Sequence, residues 1–389
     1  MAVRHGYGKI AGTDALVFAY DTGDTRNSYR GEPTTNLTTD TPSQNGWGGS
    51  YSLLESSTKT FQMQLDQAGA ATAWRSWYWS VSSYVGSSIT ISFDFELLET
   101  SGADLLYFVM GQGNTGTYPN FIASSAEADK VTDSTGVSRH FTWSGIINSA
   151  GLVGCTMRMT NGVTNGYIKF KISNVQIEAK AHETPFINGT RSATQGLLDL
   201  TGNNSIDLSN ASFNSNAEIE FDGTDSYVQT NFGDNISSQF TAEFIFYATT
   251  NQTHFPMQMY VSADTNTVFR VERFSAGADS IEFGHSDNGG SITGHELVSL
   301  NFPNNTWHHC TLVYDGSYKY IYKNGTLDTS TADSTITWYS GATLRIGARQ
   351  NSSLLPLAGY MPVVKIYNRA LTAAEIKNNY NIYKGRFNI

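Results

Sequence analysis

Ile89, Ile91, Phe93, Phe95 and Leu97 alternate with Thr90, Ser92, Asp94 and Glu96. A period of two puts successive side chains on opposite faces of an extended backbone, so this segment predicts a strand with one buried and one wet face. Ile168, Phe170 and Ile172 keep one parity, whereas Val175 and Ile177 keep the other. The slip at Ser173-Asn174 predicts a β-bulge, or the end of one strand and the start of the next. Tyr318, Tyr320 and Tyr322 alternate with Lys319, Ile321 and Lys323 and run into Asn324-Gly325, a pair suited to the positive φ angles of a tight hairpin turn. Leu344, Ile346 and Ala348 form another short apolar face, as do Val364 and Ile366. Only one segment has helical spacing. Thr372-Ala373-Ala374-Glu375 is a capping box, and Ile376 and Tyr380 follow one turn apart. This predicts a short surface helix over 372–382, packed on a sheet by those two residues.

Composition narrows the class. At about 150 residues per domain, 389 residues make two to three domains. Charged residues are 15% of the chain, against about 25% in an average globular protein. Ser, Thr and Asn number 41, 43 and 30, and aromatics reach 13%. Such aromatic and β-branched content excludes disorder, and the residue balance excludes a coiled coil. An all-β protein with many polar turns remains. The net charge is −10 with no Lys/Arg cluster, which argues against nucleic acid as a partner. No run of about 18 apolar residues suggests a membrane-spanning helix. Met1–Ile10 carries Arg4, His5 and Lys9 with no following apolar stretch, so synthesis in a cytoplasm is expected. Cys155 and Cys310 read as two free thiols in separate domains. Nine Asn-x-Ser/Thr triplets, the first at Asn36 and the last at Asn351, follow from composition.

Two long stretches carry a resemblance. "GTDALVFAYDTGDTRNSYRG" from Gly12 and "GLLDLTGNNSIDLSNASFNSNAEIEFDGTDSYV" from Gly196 resemble consecutive parts of the opening of laminin-G-like, concanavalin A-like domains in tailed-phage proteins. "NTWHHCTLVYDGSYKYIYKNG" resembles the central hairpin of that pattern. "LRIGARQ" and "LAGYMPVVKIYNRALTAAEIKNNYN" resemble its last strands and closing helix. Between these parts, "TNLTTD", Trp47 and "GYIKFKISNVQIEAKAHETPFINGTR" resemble carbohydrate-binding jelly-roll modules of phage fibre and baseplate-associated proteins. The resemblance implies an all-β chain of two β-sandwiches with one short C-terminal helix. A laminin-G-like sandwich would comprise residues 1–34 plus 190–389, and a jelly roll at 36–188 would interrupt it. Insertions of this kind are tolerated where two termini lie close together on a surface.

Candidate chemistry is sparse. Glu218, Glu220 and Asp222 alternate along one strand face, as glycosidase acids can. Their order differs from that of concanavalin A-like glucanases, and in laminin-G-like domains this stretch is a structural strand entering a turn. His308 and His309 are adjacent on a predicted strand, so they face opposite ways and cannot share a metal. Nucleophile-elbow, dinucleotide, phosphate-loop and EF-hand motifs are not found in the sequence. The resemblance implies a structural calcium in some relatives, but the jelly-roll position that usually holds Asp is Ser173 here. Asp207, Asp222, Asp225 and Asp234 are the acids left for such an ion. No catalytic residue, metal ligand or cofactor is therefore assigned. The densest aromatic cluster is Trp74, Trp77, Tyr78 and Trp79. Such rings fill cores, anchor interfaces or stack on sugars. Trp77 and Trp79 share one strand face and Tyr78 takes the other, so one face belongs to a core.

The resemblance implies a non-enzymatic bacteriophage virion structural protein, displayed on the particle exterior as a tail fibre or as capsid or tail decoration. It would be made in the host cytoplasm and would end on the virion surface. Its partners would be other virion proteins, copies of itself (a trimer being the family habit) and host-surface glycans, without membrane insertion. A bacterial surface or secreted lectin-like adhesin, a polysaccharide depolymerase and a pure spacer or cement are the competing readings.

Overall fold

The computed structural model describes residues 10–47, 50–66, 72–101, 107–113, 129–130, 135–160, 166–214, 216–233, 235–236, 238–250, 252–261, 266–274, 279–286, 296–350 and 355–389. The chain divides into two compact units, one comprising Met1–Pro33 with Ser192–Ile389 and the other Thr34–Arg191. Both are built from antiparallel sheets, and the C-terminal helix is the only α-helix among the described residues.

The discontinuous unit holds an eight-stranded and a seven-stranded sheet. Ala358–Tyr367 lies at the heart of the first. It pairs along one edge with Phe240–Ala248 and along the other with Ile219–Asp222 and Leu16–Asp21. Leu16 opposes Tyr367 and Asp21 opposes Val363, so a strand near the start of the chain completes a sheet made otherwise of its second half. The seven-stranded sheet runs in the order Ile206–Asn210, Tyr227–Gly233, Ala342–Ile346, His254–Tyr260, Thr267–Phe274, Ser280–Gly284 and Leu297–Ser299. The inward residues of both sheets form one core. Phe240 of the first sheet stacks on Phe269 of the second at 4.9 Å and meets Phe283 edge-on at 5.8 Å. The Asn324-Gly325 turn has φ of 48° and 72°, as the hairpin reading requires.

The helix runs from Ala373 to Phe387, longer than the predicted 372–382, with both halves of the capping box formed at Thr372 and Glu375. Its buried face is Ile376, Asn379, Tyr383 and Phe387. Tyr380, expected to pack beside Ile376, is instead half-buried against His309. The extra turn forms because Phe387 finds an aromatic partner in Trp307 at 4.8 Å.

The buried Asn379 answers a charge that local sequence does not reveal. Glu243, 1% exposed, lies on the sheet face beneath the helix. Lys365 Nζ donates to its Oε1 at 2.7 Å, and His309 Nε2 lies 3.2 Å from the same oxygen. Asn379 Nδ2 donates to Oε2 at 2.7 Å, and Tyr367 O–H does so at 3.4 Å. Burial by itself would raise the Glu243 pKa. The Lys365 ammonium and the His309 contact outweigh it and hold the carboxyl well below the ordinary range. Lys365 is in turn held well above its ordinary value, since Glu243 overcomes the cost of its burial.

The unit Thr34–Arg191 packs two five-stranded sheets. Ser88–Ser101 buries Ile89, Ile91, Phe93, Phe95 and Leu97, as alternation predicts. Thr90 and Ser92, expected on the wet face, are also buried. Thr90 Oγ1 lies 2.6 Å from Ser144 Oγ and donates to Lys180 O, so chain folds over that face too. The parity slip near Ser173 is a bulge inside one strand, Tyr167–Glu178, with Asn174 at φ 55°. Cys155 and Cys310 are free and buried, one in each unit, and burial pushes the Cys155 thiol up to about 12.

Replacing Glu243 by Gln should cost about 3–5 kcal/mol in urea unfolding followed by Trp fluorescence, because it strands a buried ammonium. The double change Glu243→Leu with Lys365→Met should cost less than the single one. Glu243's lowered pKa supplies stability above its unfolded value near 4.3, and Lys365's raised pKa supplies stability below about 10.4. The parent chain should therefore lose stability as pH falls below roughly 4.3 or rises beyond roughly 10.4, and Glu243→Gln should flatten the acid limb.

Candidate functional site

The aromatic cluster lies on Thr72–Ser80. Trp77 is fully buried and Trp79 is 3% exposed. The Trp77 ring meets Phe170 edge-on at 5.5 Å, and the Trp79 ring meets Phe61 at 5.9 Å. Val153, Cys155 and Met157 of the neighbouring strand join the same core. The reading of Trp77 and Trp79 as contact residues is corrected accordingly: strand alternation turns them inward. Trp74 and Tyr78, of opposite parity, are half-buried on the outer face. They flank Ser76, whose Oγ lies 2.6 Å from Thr156 Oγ1. Four positions along a strand separate the two rings by about 13 Å.

Glu218, Asp222 and Asp207 have local structural partners. Glu218 Oε2 accepts from Asn214 Nδ2 at 2.8 Å. Asp222 Oδ1 accepts from the amides of Thr224, Asp225 and Ser226; against the cost of burial, these donors hold its carboxyl below the usual range. Asp207 Oδ1 accepts from the Ser209 amide and hydroxyl. Asp234 falls outside the described residues. Among the described residues no group of three or more His, Cys, Asp or Glu could hold a metal. His308 bonds the Pro303 carbonyl at 2.9 Å, whereas His309 turns to Glu243. Burial lowers the His308 pKa to about 4.

A richer arrangement occurs on the outer face of the seven-stranded sheet. Leu344 and Ile346 point into the core, so Arg345 points out. Register places Gln229, Arg345, Gln258 and Arg270 in one row across four strands, spanning about 14 Å. Gln229 Oε1 accepts from Arg345 Nε at 3.2 Å and Nη2 at 2.7 Å, and Arg349 O accepts from Nη1 at 3.2 Å. The Arg345 guanidinium lies 4.1 Å from the ring centre of Tyr227 and 5.8 Å from that of Tyr260. Planar amides and cations beside ring faces match the mixed polar and apolar surface of a sugar.

The next row carries Glu272 directly opposite Glu282. Arg270 Nη2 sits between them, 3.1 Å from Glu272 and 2.8 Å from Glu282. Burial pushes Glu272 up to about 7, a rise that Arg270 opposes and Glu282 reinforces. Two carboxylates this close suit glycoside chemistry only if a substrate fits between them. Here a guanidinium nitrogen occupies that place.

A recess of about 390 Å3 lies elsewhere on this unit, lined by Glu296, Ser317, Thr331, Ala332, Asp333, Ser334 and Thr335. Beside it Lys319 Nζ bonds Asp333 Oδ2 at 2.8 Å and His285 Nδ1 at 2.6 Å, and His285 Nε2 lies 3.1 Å from Thr335 Oγ1. These polar groups already satisfy one another.

The sequence reading passed over Tyr227, Gln229, Gln258, Tyr260, Arg270 and Arg345. A signal existed: Tyr227-Val228-Gln229 and Gln258-Met259-Tyr260 are both polar–apolar–polar triplets. It marks an outer face without telling which faces meet.

Residues 222–377 match the family model for the concanavalin A-like lectin/glucanases superfamily. The antiparallel sheets of this segment are consistent with a concanavalin A-like all-β fold. The receptor binding domain of botulinum neurotoxin D is 14% identical, with a TM-score of 0.39 over 49% of this chain and 51% of that one. The binding domain of Paraclostridial Mosquitocidal Protein 1 is 16% identical, with a TM-score of 0.38 over 48% and 49%. A heptameric SAP-like pentraxin from Limulus polyphemus is 15% identical, with a TM-score of 0.34 over 41% and 79%. The match spans about half the length of the two toxin binding domains. No curated protein matches the chain.

Trp77→Ala should cost about 3–5 kcal/mol through the cavity it leaves. Trp74→Ala should cost less than about 1 kcal/mol, as a half-buried face residue does. Urea unfolding of the two variants distinguishes a core ring from a surface ring.

Proposed function

We propose that the protein is a non-catalytic saccharide-binding component of a tailed-phage particle, displayed on the exterior of capsid or tail. The observation that carries the binding reading is Arg345 with the half-buried Gln229 beside it and the half-buried Tyr227 ring against its guanidinium, on the outer face of the seven-stranded sheet. The Gln229 amide and the Arg345 guanidinium can bond sugar hydroxyls, while the half-buried Tyr227 ring offers an apolar face for sugar C–H groups; Gln258 behind them is fully buried and bonded to Thr267 and Gln350. Trp74 and Tyr78 form a second aromatic face in the other unit. Binding is favoured over hydrolysis because Arg270 separates Glu272 from Glu282 and Glu218 is engaged by Asn214.

The particle assignment rests on the sequence resemblance to phage laminin-G-like and jelly-roll modules. The virion surface is its proposed location, other virion proteins its proposed neighbours and a homotrimer its proposed state. Repetition on a symmetric particle turns a weak single site into firm attachment.

The test has two parts. Mass spectrometry of purified particles should detect the chain as a stoichiometric component; its absence sinks the particle assignment. On an oligosaccharide array the protein should bind a defined subset, and Tyr227→Ala should weaken that binding by roughly tenfold. A blank array with folded protein sinks the saccharide reading.

A further inference from the structure

Arg345 differs from three other arginines of its unit. Arg270 pairs with Glu272 and Glu282, Arg273 with Asp279, and Arg386 with Asp21. Arg345 is only 9% exposed, yet it makes no ion pair among the described residues. Its acceptors, the Gln229 amide and the Arg349 carbonyl, are neutral. Gln229 and Gln258 oppose it on the two neighbouring strands. The acid next in register, Asp207, lies one strand beyond Gln229 with Oδ1 committed to Ser209. In a chain of net charge −10, this cation has no carboxylate partner among the described residues and is set against the Tyr227 ring.

A desolvated charge without a counter-ion is costly, and a bound anion would recover that cost. The guanidinium carries five N–H groups. Gln229 takes those of Nε and one of Nη2, and Arg349 O takes one of Nη1. The terminal nitrogens carry N–H groups beyond these bonds, with the Tyr260 hydroxyl as a further neighbour, and a guanidinium can bind a carboxylate through two such groups.

We propose that this face takes a saccharide bearing a carboxylate, such as a uronic or sialic acid unit, with Arg345 pairing with the acid while the sugar ring lies over Tyr227. The proposal rests on the saccharide-binding reading and narrows it to an acidic ligand.

Isothermal titration calorimetry on the full chain tests it, with trigalacturonate, a hyaluronan tetrasaccharide and 3′-sialyllactose, each beside its carboxyl-reduced form. At least one acidic ligand should bind roughly tenfold or more tightly than its reduced form, as a charge-assisted bidentate pair requires. That ratio should shrink as salt is added. In Arg345→Gln it should fall to within about twofold, and Arg345→Lys should lie between, since it keeps the charge but loses the fork. Equal affinity of the parent chain for every acidic and reduced pair overturns the inference while saccharide binding stands. Failure to bind any saccharide removes both. An acid preference that survives in Arg345→Gln overturns the assignment to Arg345. The comparison of ligands on the parent chain does not depend on any variant folding.

Discussion

The discontinuous unit is organised around one buried carboxylate. Glu243 sits on a strand in the middle of the eight-stranded sheet, on the face away from the sandwich core, where water would ordinarily solvate it. The helix Ala373–Phe387 removes that water. Lys365 on the adjacent strand, His309 on the opposite one, Tyr367 and Asn379 then supply every contact that water gave up. Such a cluster holds together only when complete, because any missing partner leaves a buried charge exposed to low dielectric. The helix, both flanking strands and the end of the chain are thereby tied to one another. Ala11 N donates to Asn379 Oδ1 at 2.8 Å and Arg386 pairs with Asp21, so the first strand is drawn into the same arrangement.

This closure makes the two sheets unequal. The eight-stranded sheet spends its outer face on the helix and the ion cluster. The seven-stranded sheet carries its polar residues outward in register, with amides and guanidiniums in one row and the Glu272–Arg270–Glu282 group in the next. Much of that outer face is itself buried, and Tyr227, Gln229 and Arg270 are its half-buried members. In the other unit, Trp77 and Trp79 serve the core and leave Trp74 and Tyr78 outside.

Several elements could be read locally. The alternation of Ile89–Leu97, the Asn324-Gly325 turn and the capping box at Thr372 each concern residues within a few positions of one another, and each forms as its chemistry demands. The helix end could not be read this way, because Phe387 is held by Trp307, eighty positions earlier. Nor could the buried state of Thr90, which depends on contacts with Ser144 and Lys180.

The sequence by itself determined the all-β class, the strand parities and the helix start, since short-range sterics and periodicity decide these. Only the tertiary structure decided which polar faces stay open and which charges are paired. Arg345 is an ordinary arginine in "LRIGARQ". It becomes a cation without a counter-ion among the described residues only when strands more than a hundred positions apart place Gln229 beside it and its own loop turns the Arg349 carbonyl back to it. Coulomb energy depends on distance in space, and that distance is settled by strand pairing across the whole unit.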